Sequence, residues 1–395
     1  MLDPKTLAVL AMALGAFAIG TSEFAAMGLL PFFARDLGIS EPQAGHVVSA
    51  YAIGVVIGAP LTSVLGARLP RRRYLAALIA WFGVMNLAAA ALPGLAALTA
   101  TRFLAGLPHG GFLGVAMLMA ADAMPPEKRA RGTAQILLGL TVANIAGVPL
   151  AGAMGQGIGW RWGFALPGVL ALLAALLILR LAPRGRGHSG ARPFSELAAL
   201  RNPAVLLTLA VGAIGFGGMF AVYSYLSAAM LATGSPPSWA VPVALSMFGV
   251  GSTISSIVLA RLTERWGIFP TALRSMLFMA ATQGIASLAV GDWRAMIASA
   301  FLLGLGSGMV IPLQSRLMDV AGEAQSMAAA MNHAAFNAAN ALGPWLAGLA
   351  LSAGWGWRSS GVVGMGLSFA GIAALLAAWA HARRTSRSAP LAEIC

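Results

Sequence analysis

The two halves of this 395-residue chain repeat each other about 197 residues apart, within a strongly apolar sequence. The stretch SAYAIGVVIGAPLTSVLG, beginning at Ser49, aligns with SMFGVGSTISSIVLAR, beginning at Ser246. A second stretch, NIAGVPLAG from Asn144, aligns with NALGPWLAG from Asn340 at nearly the same offset. Duplicated bundles of membrane helices with a substrate site between them are typical of secondary transporters. The repeat therefore predicts two structurally similar halves.

Composition favours a membrane protein, because 59% of the residues are hydrophobic and only 9% are charged. A soluble protein of this length could not bury so much apolar surface. The formal net charge is +13, but the basic residues lie in short gaps between apolar runs. A nucleic-acid-binding protein would instead cluster them on one solvated face, so no nucleic-acid partner is expected. The single cysteine, Cys395, excludes an intramolecular disulfide and a cysteine-based metal site.

Apolar runs of about 20 residues, separated by short breaks, predict twelve transmembrane helices. The predicted spans are 7–30, 44–67, 74–93, 96–121, 133–156, 161–182, 204–231, 238–262, 269–290, 294–318, 325–352 and 358–381. The long polar gap at 183–203 separates six spans from six. We therefore expect an all-α membrane protein with two pseudo-symmetric six-helix bundles, at 1–182 and 204–382, joined by a linker at 183–203 and followed by a tail at 383–395.

The distribution of lysine and arginine predicts the orientation. Alternate gaps carry most of these residues, and basic loops stay on the cytoplasmic side of the membrane. Both termini, the linker and the tail are therefore predicted to be cytoplasmic. The basic clusters at 71–73 and 128–131 are expected to set topology first and to contact anionic lipids second.

Five segments of the chain resemble motifs of the major facilitator superfamily. The loop LGARLPRRR at 65–73 resembles the family's loop between the second and third helices, and LTERWG at 262–267 resembles its second-half copy. RFLAGLPHGG, from Arg102, matches the fourth-helix motif, and GVPLAG, from Gly147, is similar to the fifth-helix motif of antiporters. GTSEFAAMGLLP, from Gly20, is similar to the first helix of bacterial exporters of arabinose-like sugars, purine nucleosides and chloramphenicol. The chain thus resembles the twelve-span drug:H+ antiporter-1 branch of that superfamily.

The resemblance implies a cytoplasmic gate formed by the two related loops and the inner end of the fourth helix. Its residues are Arg68, Arg71, Arg72, Asp122, Glu264, Arg265 and Gly267. In the first-half loop, Ala67 replaces the family's usual acid and Pro70 replaces its usual glycine. Asp122 is available to pair with Arg68 or Arg71.

Ionisable groups that lack a counterpart in the other half point to proton coupling. Glu23 aligns with Phe220, and it lies roughly 24 Å from the inner end of its helix at 1.5 Å per residue. A charged acid at such depth costs about 2.5–3.5 kcal/mol unless it is paired, hydrated or protonated. Glu23 could therefore bind and release a proton, or form a structural ion pair with Arg102.

Arg102 and His109 complete the set predicted to couple protons. Arg102 keeps its charge, so it could control a nearby acid as helices move, or simply bond to backbone carbonyls. His109 could be a substrate donor or a proton relay, and a structurally hydrogen-bonded histidine is the alternative.

Small residues and neutral polar residues define two further groups. Gly147 and Gly152 would let another helix approach closely, while Pro149 removes a backbone donor and permits a bend. The predicted substrate cavity is lined by Tyr51, Asn144, Tyr223, Tyr225, Asn332, His333, Asn337 and Asn340. The last three form one stripe of a helix, which could bind a hydroxylated ligand or join helices.

These features predict a transporter that exports a drug, sugar or nucleoside in exchange for protons across the bacterial inner membrane. It would act as a monomer without a cofactor, and the chain has no nucleotide-binding P-loop. A proton symporter for uptake shares the same fold and is the nearest alternative. A membrane enzyme or sensor is a remote one, since neither HExxH, GxSxG nor a sizeable soluble domain is present.

Overall fold

The computed structural model describes residues 3–66, 69–125, 129–183, 201–321 and 325–388, and the regular structure in these ranges is entirely helical. The first half forms six helices, of which the fourth and fifth are interrupted. They are α1 (Pro4–Leu37), α2 (Glu41–Gly66), α3 (Arg71–Ala91), α4 (Leu95–Gly106 and His109–Asp122), α5 (Arg129–Val142 and Val148–Gly157, joined by a π-helical turn at Ala143–Gly147) and α6 (Trp160–Leu181).

The second half repeats this arrangement within the described residues. Its helices are α7 (Pro203–Gly215, Gly217–Tyr223 and Leu226–Thr233), α8 (Ala240–Trp266), α9 (Ile268–Ala289), α10 (Trp293–Gly306 and Val310–Val320, joined by a 3₁₀ turn at Ser307–Met309), α11 (Gln325–Ser352) and α12 (Ser359–Ser388). The helix starts follow the repeat, since α3 begins at Arg71 and α9 begins at Ile268, about 197 residues later.

Ten of the helical spans in the described residues are long and apolar enough to cross a membrane. The other two, α9 and α11, pack against helices of that set, α9 against α12 and α11 against α2 of the other half. Polar side chains such as Arg274 and Gln283 reduce the mean hydropathy of α9, but the helix still packs against its neighbours. The predicted all-α membrane fold with twelve helices is therefore confirmed.

Several predicted spans were too short. The first helix continues beyond 30 and contains Pro31, and it ends at Leu37, before Gly38, whose φ of 64° is left-handed. The last helix reaches Ser388, beyond the predicted end at 381. Residues 184–200 of the predicted linker at 183–203 and residues 389–395 of the tail lie outside the described residues, so the domain boundaries stay a prediction.

Pairs of glycines allow two equivalent helix crossings. A Cβ atom on Gly54 of α2 would collide with the backbone oxygen of Phe103 on α4. At the corresponding place in the second half, a Cβ on Gly251 of α8 would collide with the backbone oxygen of Phe301 on α10. The repeat thus preserves two sites at which backbones touch directly, as is common between membrane helices.

The two halves are joined by a symmetric pair of hydrogen bonds. Ser49 of α2 donates to the Ala341 carbonyl of α11 at 3.0 Å, and Ser246 of α8 donates to the Ile145 carbonyl of α5 at 3.2 Å. Ser49 and Ser246 are the aligned serines of the sequence repeat. They lie in the first halves of α2 and α8, so these bonds hold together the side of the molecule where both helices begin.

We expect that replacing both Ser49 and Ser246 with alanine weakens the contact between the halves on this side of the molecule. Each hydrogen bond contributes about 1 kcal/mol, so losing two would raise the fraction of molecules in which the halves are separated there by up to roughly 30-fold. A cysteine replacing Leu245, which is fully buried and packs on Gly28 and Gly152, reports opening in a Cys395→Ser background. Its labelling by a thiol reagent should be faster in the double alanine variant.

The matched control is Ser256→Ala, because Ser256 donates to Ser252 within its own helix and makes no bond between halves. Equal labelling rates in the double variant and this control would contradict the prediction.

Candidate functional site

Glu23 lies on α1 in a buried polar group whose members include Arg102 of the first half and Asn340 of the second. Its side chain is 8% exposed, and Arg102 of α4, which is fully buried, is its electrostatic neighbour. Within the described residues, however, no basic nitrogen lies within 4 Å of the carboxylate. The structural ion pair between Glu23 and Arg102, one of the predicted alternatives, is therefore not formed in this structure.

Arg102 instead binds the residue next to Glu23. Its Nη1 donates to the Ser22 hydroxyl at 2.7 Å and its Nη2 donates to the Ser22 carbonyl at 3.1 Å. The guanidinium also lies 4.2 Å from the ring centre of Tyr51 and 5.2 Å from that of Phe164. Stacking on two aromatic rings and bonding to one backbone carbonyl hold the buried cation in place.

Tyr51 connects the arginine to His109. The Tyr51 hydroxyl lies 2.9 Å from His109 Nδ1, and both side chains are at most 2% exposed. His333, on α11 in the other half, is close enough to interact electrostatically with His109. The structure therefore brings the predicted coupling residues and two predicted cavity residues into one region between the halves.

The predicted stripe on α11 faces this region. Asn340 lies beside the Glu23 carboxylate, while both polar atoms of its amide are buried and lack a hydrogen bond of normal geometry. Asn337 donates to the His333 carbonyl at 3.0 Å, and its own oxygen is unpaired. Asn332 donates to Gln314 of α10 at 2.5 Å, a partner that sequence analysis missed. Buried amides without partners mark places where a ligand could bond.

An aromatic cluster covers the region on the side of the second half. The ring of Tyr223 lies 4.0 Å from Phe248 and 6.1 Å from Phe24, which follows Glu23 on α1. Phe220 stacks on Phe24 at 6.2 Å. Tyr225 lies apart from this cluster. Its hydroxyl donates to the Pro344 carbonyl at 3.0 Å and lies next to Gly45 of α2.

The antiporter-type motif of α5 forms part of the contact with the second half. Asn144 lies in the π-helical turn, and its side-chain oxygen is buried without a partner. Pro149 has no N–H to offer the Ile145 carbonyl four residues earlier, and that oxygen accepts the Ser246 hydroxyl described above. Gly147 packs on Thr21 of α1, and Gly152 packs on Leu245 of α8.

The predicted gate residues are only partly joined. Asp122 accepts hydrogen bonds from Arg71 at 2.9 Å and from Arg129 at 2.5 Å, so the predicted pair of Asp122 with Arg71 is present. Arg72 is half-buried with an unpaired Nε. Arg68 lies outside the described residues.

The second-half part of the gate is exposed. Glu264 and Arg265 form no ion pair within the described ranges, and Gly267, with φ of 84°, ends α8. These residues therefore make no described polar bridge to the first half.

Sequence analysis missed two residues that shape the site. Ser22 accepts a hydrogen bond from Arg102, and Oδ1 of Asn86 on α3 accepts a hydrogen bond from the Ser22 hydroxyl at 2.5 Å. Both are fully buried. Asn86 carries the one signal that could have found it, an amide in the middle of a long apolar run.

Comparison with known proteins identifies the family. The sequence profile of the Major Facilitator Superfamily matches residues 12–283 and 235–394. The chain belongs to the Major Facilitator Superfamily. It is 38% identical to the inner membrane transport protein YdhP of Escherichia coli K12, over 93% of this chain and 94% of that protein.

Two further matches agree with this assignment. The transporter is 35% identical to a chloramphenicol resistance protein of Streptomyces lividans, over 86% of this chain and 88% of the relative. Its fold matches the crystal structure of the nucleoside transporter NupG with a TM-score of 0.76 at 14% identity, covering 95% of this chain and all of the other. The chain is therefore a membrane transporter of this superfamily.

Proposed function

We propose that this protein exports a small organic solute in exchange for protons, by alternating access between its two halves. The observation that carries the proposal is the position of Glu23, a buried acid without an ion-pair partner, at the contact between the halves. Intramembrane acids are rare because burying their charge is costly, so a buried acid without an ion-pair partner is a functional-site hypothesis by default. Glu23 would carry the proton, with Arg102 and His109 modulating it.

The solute would bind between the Glu23 region and the aromatic cluster. The side-chain oxygens of Asn144 and Asn337 and both polar atoms of the Asn340 amide would bond to its polar groups. Tyr223 with its neighbouring rings would stack on its apolar face. Such a lining suits an uncharged drug, sugar or nucleoside. The name of the Streptomyces lividans relative makes chloramphenicol a first candidate.

The remaining proposals concern place and assembly. We place the protein in the bacterial inner membrane as a monomer with both termini cytoplasmic, and we infer transport rather than catalysis. With that orientation, the hydrogen bonds of Ser49 and Ser246 would close the external side, and the loops around Arg71 and Glu264 would gate the internal side.

The test is the direction of solute movement in proteoliposomes under an imposed pH difference. An antiporter moves solute toward the acidic side and a symporter moves it toward the alkaline side, whichever way the protein is inserted. We expect a labelled member of a panel of nucleosides, sugars and phenicol antibiotics to accumulate on the acidic side, and a protonophore to abolish the accumulation. Accumulation on the alkaline side would establish the uptake symporter instead.

A further inference from the structure

A chain of hydrogen bonds runs from Arg102 through Ser22 to Asn86. Arg102 Nη1 donates to the Ser22 hydroxyl at 2.7 Å, and that hydroxyl donates to Asn86 Oδ1 at 2.5 Å. Asn86 Nδ2 donates in turn to the Phe82 carbonyl at 2.9 Å. The three polar side chains are fully buried, so each bond lies in a medium where an unmade bond is costly.

The direction of this chain is determined by chemistry. Guanidinium can only donate, so the Ser22 oxygen must accept and its proton must go elsewhere. The Nδ2 group of Asn86 donates to the Phe82 carbonyl, so the Oδ1 atom of the amide faces Ser22. Asn86 is thus the acceptor that lets Ser22 present a lone pair to Arg102.

This arrangement competes with Glu23 for the guanidinium. Ser22 and Glu23 are adjacent on α1, yet both Arg102 η nitrogens bond to Ser22 and none lies within 4 Å of the described carboxylate. Arg102 Nε is already buried without a partner among the described residues. If the Ser22 hydroxyl could no longer accept, Nη1 would also lose its partner while Nη2 would keep the Ser22 carbonyl, and the carboxylate of Glu23 would be the charged acceptor close by.

We propose that Asn86 is a positioning residue that acts through Ser22 to hold Arg102 away from the Glu23 carboxylate. This inference rests on the proposed function, in which Glu23 exchanges a proton. Holding the cation on a neutral acceptor leaves Glu23 free to take up a proton, whereas a direct ion pair would favour its charged form.

The second half contains a natural control at the equivalent position. Gln283 of α9 lies about 197 residues after Asn86 and is also fully buried. It accepts a hydrogen bond from Ser368 of α12 at 2.9 Å, and its surroundings include the backbones of Gly218 and Gly364. Gln283 therefore makes a buried amide contact without a described bond to an ionic side chain.

The test follows the thermal unfolding midpoint, Tm, of the purified protein as a function of pH, which needs no ligand. Besides Glu23, the described titratable and charged groups facing this region are Arg102 and His109 of α4, Tyr51 of α2 and His333 of α11. The inflection of the curve of Tm against pH that disappears in the Glu23→Gln variant is assigned to the titration of Glu23.

We expect Ser22→Ala and Asn86→Ala to move that inflection to lower pH by about one unit, because Arg102 then favours the charged carboxylate. The double variant should move it no further than Ser22→Ala does, since both changes remove the same chain. Gln283→Ala should lower Tm without moving the inflection.

An unmoved inflection in Ser22→Ala, which removes a single oxygen, would overturn the inference even where Asn86→Ala fails to fold. So would a wild-type curve without a Glu23-dependent inflection. Failure of the proposed function would give a different result. Wild-type proteoliposomes would then show no exchange of solute for protons, while the Tm curves would still report on the position of Arg102.

Discussion

Replacing Glu23 with glutamine is expected to abolish ligand-driven proton movement while the affinity for the ligand stays within about tenfold of the wild type, or 1.4 kcal/mol. Glutamine keeps the size and polarity of a protonated glutamate but cannot release a proton. Because Glu23 is 8% exposed, a neutral side chain also removes the cost of burying a charge, so the fold should be preserved. The measurement is ligand-driven pH change in proteoliposomes, with binding measured on the same protein in detergent.

A matched variant makes this result specific. Glu41→Gln makes the same chemical change at the first turn of α2, where the side chain is partly exposed and outside the proposed site. It should couple protons as the wild type does. Normal coupling in Glu23→Gln would show that Glu23 is structural and that the proton is carried by another group.

Leucine at Gly54 or at Gly251 is expected to destabilise the folded protein by about 3 kcal/mol or more, since overpacking a core costs 1–3 kcal/mol and here the obstacle is backbone. A Cβ at Gly54 would meet the Phe103 oxygen and a Cβ at Gly251 would meet the Phe301 oxygen, so α2 and α8 would have to separate from α4 and α10. Size-exclusion chromatography and Tm in detergent would measure the loss.

Gly114→Leu is the corresponding control. Gly114 also lies in a helix of the first half, but a Cβ atom there has no neighbour within 4 Å. Its yield and Tm should stay close to those of the wild type. Equal losses at all three positions would mean that leucine is harmful in these helices for a reason other than backbone contact.

The prediction of the helices succeeded because hydropathy depends on local sequence. In a bilayer every backbone polar group must be satisfied within the segment, so an apolar run of sufficient length becomes a helix whatever surrounds it. The ends were less accurate, since α1 continues past the predicted end at 30 to Leu37, where the left-handed Gly38 caps it. Interruptions such as the π-helical turn at Ala143–Gly147 depend on the packing of α5 against α8 and were not predicted.

The candidate site was predicted in part. Ionisable residues in apolar runs are rare, so Glu23, Arg102 and His109 were singled out by their type, their depth and their lack of a counterpart in the other half. Their role in proton coupling stays a prediction, and the structure places them near one another. Their partners were not found, because Ser22 and Asn86 are neutral, and the amide of Asn86 within an apolar run does not show which helix it meets. The cation Arg102 could equally have paired with Glu23 at the level of sequence, and only the geometry of α1, α3 and α4 shows that it binds Ser22.

The sequence by itself determined the helical class, the membrane environment and the duplication, because apolar content and a repeat of about 197 residues are properties of the chain read in order. The tertiary structure decided which buried groups meet. Ser49 and Ser246 bond to carbonyls of the opposite half. Asn340 lies beside Glu23 although the two residues are more than 300 positions apart in the sequence. The physical reason is that a hydrogen bond or an ion pair acts over a few ångströms in space, and the packing of helices, not the order of residues, brings its two partners within that distance.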